Sequence, residues 1–323
     1  MHFVILGAGA LGSILAAHLA RDGHDVQLVA RGTRARWLTA NSLCIRGLSE
    51  IDQPVEVITD AHLLQRAETL ILAVKTYDTE SALASVPKLK VDQALSVQNG
   101  VVKNEQLARA VGAGHVLGCM ADFSGELLDN GIVSFTRNIN VHVGELGGGV
   151  SERVTRVVGA LANAGVNSRA ADNIQSIEWS KFSGWISLML LSVLTRSATA
   201  RFLSDDDSAH IAARITREMC GIPAKLDIPL VDMSPVPVHQ VQLGTEADGA
   251  AVFKERGAHM QQHAPNHRMS SLQDVERGRR LELEETVGYA LAKARELGHA
   301  MPTVETCYRL VRAVNAALLA GAH

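Results

Sequence analysis

The chain has 323 residues, 47% of them hydrophobic and 20% charged, a length that suits about two globular domains. A formal net charge of −3 excludes the broad basic surface of a nucleic-acid-binding protein. Cys44, Cys119, Cys220 and Cys307 are scattered without a C-x-x-C spacing, a pattern of buried thiols in a reducing compartment rather than of a disulfide framework.

The apolar run Phe3–Leu6 reaches Gly7-Ala8-Gly9-Ala10-Leu11-Gly12, and an Ala/Leu-rich helical stretch follows to Arg21. The run has no basic segment ahead of it, so it is not read as a signal peptide. Gly7, Gly9 and Gly12 fit the G-x-G-x-x-G dinucleotide fingerprint. The first glycine allows the tight turn, the second lets the backbone approach a pyrophosphate, and the third brings the helix close to the strand. Asp25–Ala30 reads as the second strand and ends at Arg31, with Arg34 and Arg36 close behind. An NAD site usually carries a carboxylate here for the ribose hydroxyls. A guanidinium instead suits a 2'-phosphate, so NADP(H) is the expected cofactor.

A polar helix or loop is expected over Thr33–Asn41, a short strand pair within Leu43–Ile58, and a helix over Ala61–Ala67. Thr69–Val74 is apolar throughout, as in a strand buried on both faces of a parallel sheet, and ends at Lys75. A helix begins at Thr79 and runs to Ala84, and the strand Ala94–Val97 ends at Gln98-Asn99-Gly100. This alternation predicts a doubly wound sheet, in which ligands bind beyond the carboxyl ends of the strands. Gly7, Arg31, Lys75 and Asn99 each lie just past such an end. Val116–Gly118, Gly131–Phe135 and Asn140–Gly144 are expected to close the sheet. The amphipathic helix Ser151–Ala164 and the strand-like Val166–Ala170 complete a Rossmann-type domain over residues 1–170.

Residues 171–323 lose the strand signal and are expected to form an all-helical domain. The pattern predicts a long apolar helix over Ile174–Ala200, whose run Ile186–Leu194 falls short of the roughly 20 residues a membrane span needs. A helix over Asp207–Cys220 and a proline-rich loop over Lys225–Val238 follow. A single long helix is then expected over Ser271–Leu297, with Glu276 and Arg280 one turn apart, ended by Gly298. Pro302 opens the last helix, through Leu319. His259, His263 and His267 recur every four residues, but Pro265 interrupts the helix and no ligand set is completed, so no metal is expected. The fold class is α/β, with a Rossmann-type doubly wound sheet followed by an all-helical C-terminal domain.

Several of these pieces together resemble the ketopantoate reductase (2-dehydropantoate 2-reductase) family. They are Gly7-Ala8-Gly9-Ala10-Leu11-Gly12, Arg31, Val74-Lys75-Thr76, Gln98-Asn99-Gly100, Trp179-Ser180-Lys181 and Ser270-Ser271-Leu272-Gln273-Asp274 through Glu282. They follow the family's order over nearly the whole chain. The resemblance implies an NADPH-dependent reduction of a small-molecule 2-oxo acid to a 2-hydroxy acid, in the cleft between the two domains. Charge and the short apolar run already make a cytoplasmic enzyme with no nucleic-acid or membrane partner the expectation. Lys181 matches the lysine that polarises and protonates the carbonyl oxygen, Glu282 the acid that contacts the substrate hydroxyl, and Asn99 a residue near the nicotinamide. Arg31 and Lys75 match residues near the 2'-phosphate, and Ser270 one that contacts the substrate carboxylate. The physical case agrees, because hydride delivery builds negative charge on oxygen, which a positioned ammonium can stabilise and protonate.

The substrate half departs from the family pattern. Trp185 and Met189 stand where the family has asparagines, on the Lys181 face of the helix. His267, Leu281 and Val287 replace its Asn, Thr and Asn. The expected substrate is therefore 2-dehydropantoate, on the route to pantothenate, or a related bulkier 2-oxo acid. The alternatives are a non-catalytic NADP(H)-binding sensor and another Rossmann-type hydroxy acid dehydrogenase. The long apolar C-terminal helices allow a homodimer and equally a monomer.

Overall fold

The computed structural model describes residues 1–320. The chain divides into two compact units, Met1–Gln175 and a second that begins at Ser176.

The first unit runs β1 (His2–Leu6), α1 (Ala10–Arg21), β2 (Asp25–Val29), α2 (Gly32–Ala40), β3 (Leu43–Gly47), β4 (Ile51–Gln53), β5 (Glu56–Ile58), β6 (Arg66–Leu72), α3 (Thr79–Ala84), β7 (Lys90–Ser96), α4 (Val102–Val111), β8 (Leu117–Leu127), β9 (Val133–Glu145), α5 (Glu152–Asn163) and β10 (Ser168–Ala170). Five strands form a parallel sheet in the order β5-β2-β1-β6-β7. The pleat sends alternate side chains to opposite faces. Phe3 and Ile5 enter one apolar cluster, and Val4 and Leu6 enter another on the other face. That two-sided burial explains why β1 and β6 read as continuous apolar runs rather than alternating ones.

The later strands do not close this sheet as the sequence suggested. β8 and β9 form a long antiparallel hairpin, and β9 carries β3 and β10 on its flanks in a second sheet, order β10-β9-β3-β4. Among the described residues, an isolated bridge between Ala94 and Val116 is the sole strand pairing of this region with β7. The antiparallel strands of 11 and 13 residues pair along facing edges, and the other edge of β9 is taken by β3 and β10 rather than by the parallel ladder. Leu43–Ile58 holds three strands rather than a pair, and the third, β5, joins the first sheet. The helix expected over Ala61–Ala67 is a single 3-10 turn, Ala61–Leu63, capped by the Asp60 carboxylate on the His62 N–H. The segment is too short to nucleate a helix against the pull of the β6 ladder, which starts at Arg66.

In the second unit every element among the described residues is a helix: α6 (Ile174–Thr195, which starts two residues ahead of it), α7 (Thr199–Ser204), α8 (Asp206–Lys225), α9 (Val238–Gln242), α10 (Glu246–His263), α11 (Ser270–Glu276), α12 (Tyr289–Glu296) and α13 (Pro302–Ala320). α6 stops short of the expected Ala200 because Arg196 takes a left-handed backbone, φ 52°. α8 runs past the expected Cys220, with Pro223 inside its last turns. The lost N–H there is a single ladder bond, set against the burial of Ile222 and Pro223.

α9 and α10 were not anticipated. α10 begins with a full capping box, Thr245 and Asp248 each bonding the other's backbone N–H, and Phe253 in it is wholly buried. The Thr-Glu-Ala-Asp sequence was the legible signal. The single helix expected over Ser271–Leu297 is broken. α11 ends at Glu276, Gly278 adopts φ 62°, and the chain re-enters through a π-helical turn, Glu284–Gly288, before α12. Gly278 supplies the left-handed turn that ends a helix. Glu276 then pairs with Arg268, and Arg280 with Glu285, so the expected Glu276–Arg280 pair is not made. Among the described residues no helix is long and apolar enough to cross a membrane.

Candidate active site

The parallel register brings four sequence-selected positions to one edge. Leu6 pairs with Val29 on one side and Leu72 on the other, and Leu72 pairs with Ser96. Gly7, Arg31, Lys75 and Asn99 therefore all follow carboxyl ends of neighbouring strands. The strand order reverses at β1, the place where such sheets open a ligand crevice.

The glycine loop is built for close approach. Gly7 sits at φ 113°, and a Cβ there would come within 2.8 Å of the Ala73–Val74 backbone. A Cβ on Gly12 would lie 1.9 Å from the Gly7 carbonyl oxygen. Gly9 differs: a Cβ there would meet nothing within 4 Å. Packing within the protein does not explain that glycine; its bare backbone leaves room for a ligand to approach. Ala8 is buried behind the loop, and Ala10 and Leu11 are half-buried in the first turn of α1. Gly9 caps α1 without a side-chain bond, and the first turn holds no acidic residue. Its amide groups and dipole thus face an anion position, as a pyrophosphate requires.

At the end of β2, Arg31 is exposed. Arg34, which the sequence placed beside it, has another task. Its guanidinium donates to the Ala8 carbonyl at 3.1 Å, the Gly131 carbonyl at 2.8 Å and the Ser13 hydroxyl at 3.1 Å. It lies 4.8 Å from the Trp37 ring centroid, and burial holds its pKa below the ordinary arginine value. Arg34 is thus a brace of the glycine loop. Arg36 donates to the Thr33 hydroxyl.

Lys75 and Asn99 are both half-buried. The neighbouring Gln98 is buried and bonds Val74, Thr79 and Ser96. Lys103, 2% exposed, donates to the Gly100 carbonyl at 3.2 Å. The sequence marked Gln98 only as part of a motif, and Lys103 not at all.

In the helical unit Lys181 is half-buried near the start of α6. Its neighbours are pinned. The Ser180 hydroxyl accepts the Val231 N–H at 2.9 Å. Gly184 lets the loop after α8 lie flat, since a Cβ there would reach 2.6 Å from Val236. Trp179 meets Phe182 edge to face. Trp185 and Met189, one and two turns after Lys181, are 6% and 1% exposed. The first can offer a ring edge, and the second acts by the volume it fills.

Ser192, three turns after Lys181, shares a hydrogen bond of 2.9 Å with the Ser271 hydroxyl. That contact turns Ser271 inward and leaves Ser270, the sequence-selected serine, exposed at the start of α11. His267 caps the start of α7 through Thr199, its carbonyl accepting the Thr199 N–H.

Glu282 is half-buried in the break between α11 and α12. The break is fixed on both sides of it. The Leu281 N–H donates to the Asn315 side chain at 2.9 Å, and the Thr286 hydroxyl donates to the Glu282 carbonyl. Next to it, burial raises the pKa of Glu285, opposed by its backbone hydrogen bond and by Arg280. Among the described residues no group of three or more His, Cys, Asp or Glu is placed to hold a metal ion. His259 and His263 stack at 4.2 Å on α10, and His267 lies beyond the end of that helix.

Both units are similar to known proteins. The family model described as ketopantoate reductase PanE/ApbA matches residues 3–148, and that of the PanE/ApbA C terminal matches residues 173–315. A 2-dehydropantoate 2-reductase of Archaeoglobus fulgidus is 27% identical over 97% of this chain and 98% of its own. One from Mesorhizobium japonicum is 28% identical over 97% of each. A solved PanE/ApbA family ketopantoate reductase from Ralstonia eutropha superposes with a TM-score of 0.83 at 24% identity, over 99% of this chain and 100% of that one. D-mandelate dehydrogenase, solved with NADH and anilino(oxo)acetate, superposes with a TM-score of 0.85 at 19% identity, over 98% and 99%.

Proposed function

We infer that this chain, which belongs to the ketopantoate reductase PanE/ApbA family and is on that ground an oxidoreductase acting on CH–OH groups with a nicotinamide cofactor, reduces a 2-oxo acid to the 2-hydroxy acid using NADPH. The observation that carries this reading is the alignment of Gly7, Arg31, Lys75 and Asn99 along one sheet edge. The open space at Gly9 supports it. No carboxylate follows β2, where NAD(H) would need one, and Arg31 and Lys75 supply positive charge for a 2'-phosphate.

When bound, NADPH supplies the hydride that goes to the carbonyl carbon. The residues handle what that transfer creates. Lys181 stabilises the negative charge growing on the carbonyl oxygen and gives that oxygen its proton. Glu282 orients the substrate through the same oxygen, Ser270 holds the carboxylate, and Asn99 sets the nicotinamide side. Each role follows the family resemblance at that position.

The named relatives favour 2-dehydropantoate, whose product leads to pantothenate. Trp185 and Met189 favour a larger or more apolar 2-oxo acid, because they set a largely apolar face where the family's asparagines would bind polar groups. The anilino(oxo)acetate complex of D-mandelate dehydrogenase supports room in this fold for an aryl group. Following NADPH oxidation by absorbance with 2-dehydropantoate, branched 2-oxo acids and aryl 2-oxo acids decides the matter, with NADH run in parallel. The expected result is turnover with NADPH, faster on a bulky member than on 2-dehydropantoate. Strong preference for 2-dehydropantoate overturns the bulky-substrate reading. NADPH binding with a wholly silent panel favours a binding protein that senses NADP(H).

A further inference from the structure

The last rungs of the β6–β7 ladder do not reach the residues that matter most. The Val97 N–H donates to the Leu72 carbonyl at 3.1 Å. Among the described residues no strand pairing joins the two segments beyond it, yet Lys75 and Asn99 both lie further on. A side chain takes over. The Gln98 carboxamide donates one N–H to the Val74 carbonyl at 2.9 Å and the other to the Thr79 hydroxyl at 2.8 Å. Its oxygen accepts from the Ser96 hydroxyl at 2.9 Å, and that hydroxyl in turn accepts the Gln98 backbone N–H at 3.2 Å.

The group is buried, as are Thr79 and Ser96. Its orientation is fixed, since flipping the amide would set its oxygen against the Val74 carbonyl. The carboxamide thus acts as one further rung of the sheet, placed directly before Lys75 on one chain and directly before Asn99 on the other. Lys103 adds a second tie on the Asn99 side, through Gly100.

We propose that Gln98 is a positioning residue of the cofactor site, holding the Lys75 loop and the Asn99 loop as one rigid body. The proposal rests on the reading above, in which Lys75 meets the 2'-phosphate and Asn99 the nicotinamide end. It goes beyond that reading by making the two ends interdependent. A cofactor gripped at both ends needs a fixed span between the grips. Loosening the span weakens binding and misplaces the nicotinamide together, and small misplacements cost rate steeply. A residue that served only to stabilise the unit would lower its melting temperature and leave the constants of the folded protein alone.

The test is Gln98→Met, which keeps length and volume but makes none of the three carboxamide bonds. NADPH affinity is measured by fluorescence titration, KM and kcat by absorbance, and folding by thermal melting. The expected result is an NADPH Kd raised about 10-fold with kcat also lowered. Lys75→Ala should then cost less affinity in the Gln98→Met background than in the wild type, because a loosened lysine has less to lose. Thr79→Val, which removes one partner, should move both constants the same way by a smaller factor. It decides the matter if Gln98→Met does not fold. Wild-type constants in the folded variants, or a lowered melting temperature alone, overturn the proposal. If Lys75→Ala leaves NADPH affinity unchanged in the wild-type protein, the cofactor reading itself fails, whatever Gln98 does.

Discussion

The two units carry their chemistry on different parts of the chain. In the unit ending at Gln175, the positions proposed for the cofactor lie at strand ends, and a strand end is a backbone event. Leu6, Val29, Leu72 and Ser96 stand in register, so whatever follows them stands in line. In the helical unit the position of Lys181 depends on the phase of α6, and that of Glu282 on a break between two helices. A backbone edge tolerates many side chains and few changes of glycine. A helix face tolerates few changes of side chain.

The largest effect expected from this contrast is on Lys181. Replacing it with alanine should lower kcat by about 10²–10⁴-fold while the NADPH Kd stays at its wild-type value, as steady-state rates beside fluorescence titration would show. Next comes the backbone edge. Gly12→Ala puts a carbon 1.9 Å from the Gly7 carbonyl. It should destabilise the unit by about 1–3 kcal/mol and abolish NADPH binding, measured by thermal melting and titration. A variant that still binds would break the claim that the glycines are set by close approach.

These expectations also mark what could be read in advance. The glycine loop, Arg31, Lys75 and Asn99 were legible because alternating strand and helix signals locate strand ends locally. The β8–β9 hairpin was not, because which sheet a strand joins is decided by distant pairing, here with β3. In the helical unit the error had another cause. Ser271–Leu297 carries good helix formers and reads as a single helix, yet Gly278 and the Leu281–Asn315 bond break it. Propensity has no access to a partner 34 residues away. The same limit hid the tasks of Arg34 and Gln98, which rest on contacts to other elements, and the inward turn of Ser271 onto Ser192.

Smaller effects sharpen the contrast. Arg31→Ala and Lys75→Ala should each reduce the preference for NADPH over NADH by about 10-fold, the worth of a charge-assisted contact, read from kcat/KM with each cofactor. Trp185→Asn should move the 2-oxo acid preference toward more polar substrates by about 10-fold, with NADPH affinity unmoved.

The smallest effects are in pH, and they oppose each other. Burial lowers the pKa of His18, opposed by its bond to the Ala164 carbonyl at 2.7 Å. A base with a lowered pKa stabilises the fold above its ordinary value of 6.5, and that stability is lost as the pH falls through the lowered pKa. Glu285 has a raised pKa. Its favourable contribution is complete below 4.5 and is lost as the pH rises through the raised value. Thermal melts should therefore show Glu285→Gln stabilised near neutrality by less than about 3 °C and equal to wild type in acid. His18→Gln should lose part of the acid sensitivity.

The division of labour between the units is tested most directly by measuring NADPH Kd and saturated kcat side by side in Lys75→Ala and Lys181→Ala. The predicted result is a crossing. Lys75→Ala weakens NADPH binding and keeps most of kcat at saturation, and Lys181→Ala keeps the binding and loses kcat. If Lys181→Ala turns over at the wild-type rate, or if Lys75→Ala binds NADPH as the wild type does, the assignment of cofactor grip to one unit and proton delivery to the other is wrong.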